Sequence, residues 1–233
     1  MTIAKPKVIW LTGLSGSGKT TIANELIKLL PRTVLLDGDV LRDGINRDLG
    51  FSVEDRNENI RRVSHIAQIL FSAGVNVVVS FISPIKSARA FARSLIPSGS
   101  FYEVYLSTTL DECKKRDVKG LYKKAEAGVI KEFTGISSPY ERPERPEIEI
   151  DTEGVPLKYC VDIIIAAIGA KLERCMKIRE TSGDLEGIND FIENDIRKEI
   201  REKVGLWDYK IVNIQQMSED WYKMWYYIYE FEV

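Results

Sequence analysis

The sequence predicts an α/β fold, a parallel β-sheet flanked by helices in three layers, followed by a small C-terminal module of one helix and a β-hairpin. Three observations carry this. Apolar strand-like runs alternate with helix-like stretches from Val8 to a helix beginning near Pro156, the order expected of a doubly wound parallel sheet. The run "VNVVVSFIS" is continuously apolar rather than alternating, which suits a strand covered on both faces. After about Lys171 the balance of charges turns acidic, and Trp207, Trp221 and Trp225 gather there. The expected division is therefore 1–170 and 171–233.

The first strand and helix lie in "VIWLTGLSGSGKTTIANELIKLL". Between them Gly13 to Thr20 match GxxxxGK[ST], a turn whose backbone N–H groups converge on phosphate oxygens and whose glycines keep Cβ atoms out of the way. Lys19 is placed to reach β- and γ-phosphates, Thr20 offers a hydroxyl to Mg²⁺, and the helix N-terminus adds its positive end. The candidate ATP-binding set is Gly13, Ser15, Gly16, Ser17, Gly18, Lys19, Thr20 and Thr21. A dinucleotide-binding fingerprint starting at Gly16 would need glycine where Thr21 stands.

The helix runs from about Lys19 to Leu30 and stops before Pro31. "RTVLLDGDVLR" then gives a short strand ending in Asp37 and Asp39. Ile60, Val63, Ile66, Ala67 and Leu70 recur at helical spacing up to Gly74, a suitable residue just past a helix end. The valine-rich strand follows, and Pro84 opens a helix to about Leu95. "FYEVYLST" is the next strand, Thr109 caps "LDECKKRD", and "KGLYKKAEAG" is a short helix. Residues 129–146 are rich in proline, glycine and serine, a length and composition that suit a functional lid. "EIEIDT" is the last strand of this part. In the tail, Ile188, Ile192, Ile196, Ile200 and Val204 step along one helical face before Gly205, and "YKIVNIQQM" and "WYKMWYYIYEF" read as two strands around Ser218, Glu219 and Asp220.

Composition narrows the function. A formal net charge of −2 gives no basic surface for non-specific nucleic-acid binding. Cys113, Cys160 and Cys175 are too few and too scattered for a disulfide framework or a zinc site, as in a reducing compartment. Neither a secretory leader nor a membrane-spanning apolar run is legible, so the expectation is a cytoplasmic protein without a membrane partner. His65 is the single histidine, which leaves proton transfer to carboxylates. Asp37 and Asp39 lie where ligands gather in open α/β sheets and suit both metal holding and acceptance of a hydroxyl proton. An Asp-Gly turn solvated at a strand end is the plain alternative. The basic stretches "DRNENIRR" and "KKRDVKGLYKK" read equally as solvated helix faces.

Taken together and in order over about Lys7 to Ala170, "GLSGSGKTT", "LDGDVLRDGINRDLGFSVEDRNENIRR", "SFISP", "RDVKGLYKKAEAG" and "IKEFTGISSPYE" resemble the adenylylsulfate kinase family. The glycine-rich loop alone is common to many folds of its superfamily. The other blocks are specific to this family. The resemblance implies a three-layer P-loop kinase fold and a homodimer that phosphorylates the ribose 3′-hydroxyl of adenylyl sulfate with ATP and Mg²⁺. By it, Asp39 would be the base and a magnesium partner with Thr20, and Asp37 would support it. Lys19 and Lys119 would face the phosphates. Arg42, Arg56 and Asn59 would hold the phosphosulfate, Phe51 and Phe133 would sandwich its adenine, and Ile82 and Ser83 would line the same pocket. Because Phe133 falls in the polar 129–146 stretch, burial by protein alone is not expected of it.

Two residues depart from the family pattern: Glu126 where arginine is common and Arg142 where a second lid proline is common. His65 falls in no block tied to chemistry and is expected to pack a helix. Another small alcohol or nucleoside as acceptor, or a nucleotide-binding subunit whose tail does the work, are the rival readings. The first leaves the two phenylalanines unexplained, and intact Lys19, Thr20, Asp37 and Asp39 oppose the second. A sulfurylase tail is excluded, because one histidine cannot supply an HxGH motif. The tail carries Trp221, Trp225, Tyr227 and Tyr229 on one alternating strand face and is expected to mediate association.

Overall fold

The computed structural model describes residues 5–169, 172–177, 207–218 and 221–230. The chain divides into two compact units, Met1–Val161 and Asp162–Val233. In the first, β1 (Val8–Gly13), β2 (Thr33–Asp37), β3 (Asn76–Ser80), β4 (Phe101–Leu106) and β5 (Ile148–Ile150) form one sheet in the order β2-β3-β1-β4-β5. Every pairing is parallel. β1 is flanked by β3 on one side and β4 on the other, so the chain turns away in opposite directions at this strand. Such a switch point opens a crevice at the carboxyl ends of the strands.

The elements follow from local sequence. All six residues of β1 are buried, as its unbroken apolar run demands. α1 (Lys19–Leu29) buries Ile22, Ala23 and Leu26 and ends ahead of Pro31, which disfavours helix in the residue before it. α3 (Val53–Ser72) starts at Ser52, whose side chain accepts from Asp55 N, and carries Glu54 and Asp55 in its first turn, both favourable at the positive end. Ile60, Val63 and Ala67 face inward, with Ile66 and Leu70 partly buried against the same cluster. α4 (Lys86–Ser94) follows β3. Thr109 caps α5 (Leu110–Arg116) as its position before "LDECKKRD" implies, accepting from Glu112 N at 3.2 Å. α6 (Leu121–Glu126) and α7 (Leu157–Ala167) complete the helices named so far.

Two elements were not legible in the sequence. Gly38–Asp43 is a one-and-a-half-turn helix, α2, where the sequence suggests continuation of strand and turn. Asp37 initiates it by accepting from Asp39 N at 3.0 Å. In the second unit the predicted hairpin is present as β7 (Trp207–Ser218) and β8 (Trp221–Glu230), antiparallel. A third strand, β6 (Leu172–Lys177), pairs with the other edge of β8, giving the order β6-β8-β7. The helix expected around Ile188, Ile192, Ile196, Ile200 and Val204 lies outside the described residues.

The main core of the first unit joins Trp10, Leu36, Ile60, Val63, Val77, Val79, Phe81 and Phe101. A satellite cluster of Cys113, Tyr122, Ala125 and Phe133 packs Leu14, Leu110 and Ile130. Among the described residues no helix is long and apolar enough to cross a membrane.

Candidate active site

The loop after β1 needs its glycines. Gly13 has φ 149° and a Cβ there would stand 2.7 Å from the Leu106 carbonyl oxygen, while Gly16 has φ 77° and would meet the Cys113 carbonyl at 3.1 Å. The loop is therefore moulded onto β4 and α5, with no room for side chains at either point. Lys19, the first residue of α1, folds back over it and donates to the carbonyls of Gly13 at 2.9 Å and Leu14 at 2.6 Å. Burial pushes this ammonium down to about 8, against the opposing pull of Cys113, Asp37 and Asp39.

Thr20 donates to Asp37 Oδ2 at 3.0 Å and lies 3.3 Å from Ser80 Oγ. Asp37 thus spends one oxygen on Thr20 and the other on the start of α2. In the first turn of that helix, Asp39 forms an ion pair with Lys119 of the α5–α6 connection. Both partners are more than half exposed, so the pair adds little to stability. Its interest is positional, since it bridges two segments 80 residues apart.

A cavity of about 840 Å³ opens over these groups, within the range usual for small-molecule sites. It is lined by Ser15, Gly16, Gly18, Lys19, Thr20 and Thr21 of the loop and α1, by Asp37 and Asp39, and by Lys119. Arg42, Phe51, Arg56, Asn59, Ile82, Ser83 and Phe133 line it too. Of the candidate site residues only Gly13 and Ser17 stand back from it. Both are buried behind the loop.

Phe51 is 55% exposed, and the guanidiniums of Arg42 and Arg56 sit 4.4 and 5.8 Å from its ring centre. Arg42 donates to the carbonyls of Leu49 and Gly50. Arg56 reaches the Phe51 carbonyl and Thr134 Oγ1. Burial lowers the pKa of both arginines. Asn59 accepts from the buried amide of Asn46 at 2.7 Å. Phe133 corrects one expectation: protein buries it to 9% exposure, because α6 presents Tyr122 edge-on to its ring at 5.0 Å.

The two basic stretches separate by face. Glu58 pairs with Arg61 and Arg62, and Glu112 with Lys115, away from the cavity, while Arg56, Asn59, Arg116 and Lys119 line it. Glu126 pairs with Lys114 at 2.8 Å. Arg142 pairs with Glu149 at 3.1 Å and lies over the Tyr105 ring.

Sequence reasoning missed three residues that brace the loop. Tyr122 donates to the Ser15 carbonyl at 2.9 Å. Arg116 donates to Thr152 Oγ1 at 2.8 Å, and Thr152 in turn donates to the Ser17 carbonyl at 3.1 Å. All three are brought in by the fold from more than 90 residues away; the tyrosine of "KGLYKK" was the available signal for one of them.

The chain is similar to known proteins. A family model described as adenylylsulphate kinase matches residues 5–151. Over 154 residues the chain is 58% identical to a protein of Rhizobium tropici named bifunctional enzyme NodQ, covering 64% of this chain and 24% of that one. It therefore spans about a quarter of the length of such relatives. An adenylyl-sulfate kinase of Marinobacter nauticus is 54% identical over 166 residues, covering 70% of this chain and 83% of the relative. Among solved structures, the Mycobacterium tuberculosis APS kinase CysC in complex with AMPPNP and APS is similar at a TM-score of 0.66 and 42% identity, over 70% of this chain and 98% of that one.

Proposed function

The chain belongs to the adenylylsulfate kinase family, and from that premise we propose that it transfers the γ-phosphoryl group of ATP to the 3′-hydroxyl of adenylyl sulfate. The products are ADP and 3′-phosphoadenylyl sulfate. The observation that carries this reading is the convergence in one cavity of a phosphate-binding loop, a carboxylate pair at the end of β2, and an arginine, phenylalanine and asparagine wall from α2, α3 and their connection. Residues 1–170 make up the kinase.

Asp39 accepts the 3′-hydroxyl proton as the oxygen forms its bond to the γ-phosphorus and the bond from that phosphorus to the β,γ-bridging oxygen breaks. Lys119 leaves Asp39 and turns to the transferring phosphate, freeing the carboxylate for this task. Lys19 exchanges the Gly13 and Leu14 carbonyls for β- and γ-phosphate oxygens. The hydroxyl of Thr20 and the carboxylates of Asp37 and Asp39 make an all-oxygen donor set of the kind Mg²⁺ takes. Thr20 and Asp39 would hold it, with Asp37 orienting Thr20. When bound, Mg²⁺ neutralises charge on the β- and γ-phosphates.

On the other side, Arg42, Arg56 and Asn59 hold the phosphosulfate, and Phe51 and Phe133 offer ring faces to its adenine. Ile82 and Ser83 form the floor beneath it. The enzyme works as a cytoplasmic homodimer, with residues 171–233 contributing to association. Purified protein incubated with ATP, Mg²⁺ and adenylyl sulfate should release ADP and 3′-phosphoadenylyl sulfate in equal amounts. ADP release that is indifferent to adenylyl sulfate but stimulated by another alcohol would overturn the assignment.

A further inference from the structure

Ser83 lies in the left-handed region at φ 45°, is 2% exposed and lines the cavity. A non-glycine residue keeps such a conformation only where its surroundings over-determine it. Trp10 Nε1 donates to Ser83 Oγ at 3.0 Å, and Thr12 Oγ1 donates to the Ile82 carbonyl at 2.7 Å. Glu141 N donates to the Pro84 carbonyl at 2.9 Å. The charged donor in this set is Arg89, whose Nη1 reaches the Ser83 carbonyl at 2.7 Å.

Arg89 sits on α4 and is 3% exposed. Each of its three nitrogens is committed. Nε pairs with Glu103 Oε1 at 2.7 Å, Nη1 holds Ser83, and Nη2 donates to the Glu141 carbonyl at 2.7 Å. It does not line the cavity, so it does not itself meet an anion there. Its planar fork instead ties the turn after β3 to the segment carrying Glu141, with Glu103 supplying the countercharge that makes its burial tolerable.

We propose that Arg89 is a positioning residue for the adenylyl sulfate side of the cavity, acting through Ser83 and Glu141 to fix the Ile82–Pro84 floor. The inference rests on the function proposed above. The side is assigned by packing: Phe81, next to this turn, shares a core cluster with Ile60 of α3, the helix that presents Arg56 and Asn59. The phosphate loop meets this floor at its first residue, where Gly13 N donates to the Ile82 carbonyl at 3.5 Å, but it has four further ties through Lys19, Tyr122, Arg116 and Thr152. Loosening Arg89 should therefore be felt more by adenylyl sulfate than by ATP.

The test compares Arg89→Lys with the unaltered protein by steady-state kinetics and by equilibrium titration of each substrate. Lysine keeps the charge for Glu103 but lacks the fork that spans Ser83 and Glu141. The expected result is a rise of about tenfold in KM for adenylyl sulfate, with KM for ATP within about twofold, a loosening smaller than the ångström-scale misplacement that costs about 100-fold. Glu103→Gln weakens the hold on the guanidinium more gently and should raise the same constant by about threefold. A folded Arg89→Lys whose two KM values stay put, or rise together, overturns the proposal. If that variant does not fold, an unmoved KM for adenylyl sulfate in Glu103→Gln overturns it. Inactivity of the unaltered protein toward adenylyl sulfate counts instead against the proposed function, and titration of that ligand still reads the effect of Arg89.

Discussion

Asp39 and Phe133 show how position divides the roles of single residues. Asp39 projects from a one-and-a-half-turn helix, and its recorded partner, Lys119, is itself largely exposed, so its removal leaves no buried group stranded. Asp39→Asn should lower kcat by about 100-fold or more, the usual scale for loss of a general base, while ATP affinity changes by less than about threefold. Comparable turnover in stopped assays would remove Asp39 from the chemistry. Phe133 is different because it is both cavity wall and core, packed on Tyr122. Phe133→Ala should cost about 3 kcal/mol of stability as well as about 1–3 kcal/mol of adenylyl sulfate binding. Phe133→Leu fills most of the space without offering a ring face. It should recover stability in thermal unfolding but not affinity in titrations; recovery of both would make Phe133 a packing residue only. His65, by contrast, packs edge-on against Phe91 of α4 at 5.7 Å, a helix-to-helix contact away from the cavity.

At the scale of elements, α2 depends on Asp37 twice. One carboxylate oxygen caps the helix at Asp39 N, and the other accepts from Thr20. Asn caps helices about as well as Asp, whereas Ala costs about 1 kcal/mol. Asp37→Asn should therefore unfold within a degree or two of the unaltered protein yet lose activity, and Asp37→Ala should lose both; equal activity in the Asn variant would reduce Asp37 to a cap. This helix also marks where the sequence stops being legible. α1, α3 and α5 announce themselves by apolar spacing, Pro31 and the cap Thr109, all local signals. α2 is six residues long, too short for periodicity, and opens on an Asp-Gly pair that equally spells a turn. β6, "LERCMK", lacks alternation and finds its partner some fifty residues on in β8, a long-range pairing that no window of sequence contains. The same limit applies to the site. The glycine loop and the Asp37–Asp39 pair are written in adjacent residues, while the braces Tyr122, Arg116 and Thr152 reach the loop only once the sheet has closed.

For the whole molecule, the open question is what the second unit adds to the first. The candidate site residues and the family match at residues 5–151 all fall in Met1–Val161, so the chemistry has no evident need of the rest. An apolar sheet face left open marks an interaction surface, and the sequence of the central strand β8 carries Trp221, Trp225, Tyr227 and Tyr229, residue types enriched at subunit contacts. A cut at Arg174 would fall inside β6 and leave a stray half-strand; a chain ending at Gly169 removes all three strands and keeps α7 whole. On the proposal that residues 171–233 contribute to association, this shortened chain should show a lower mass by light scattering at equal concentration, with kcat for adenylyl sulfate phosphorylation within about twofold of the full chain. An unchanged mass would exclude self-association through the extension. A folded but inactive shortened chain would show instead that activity requires residues beyond Gly169.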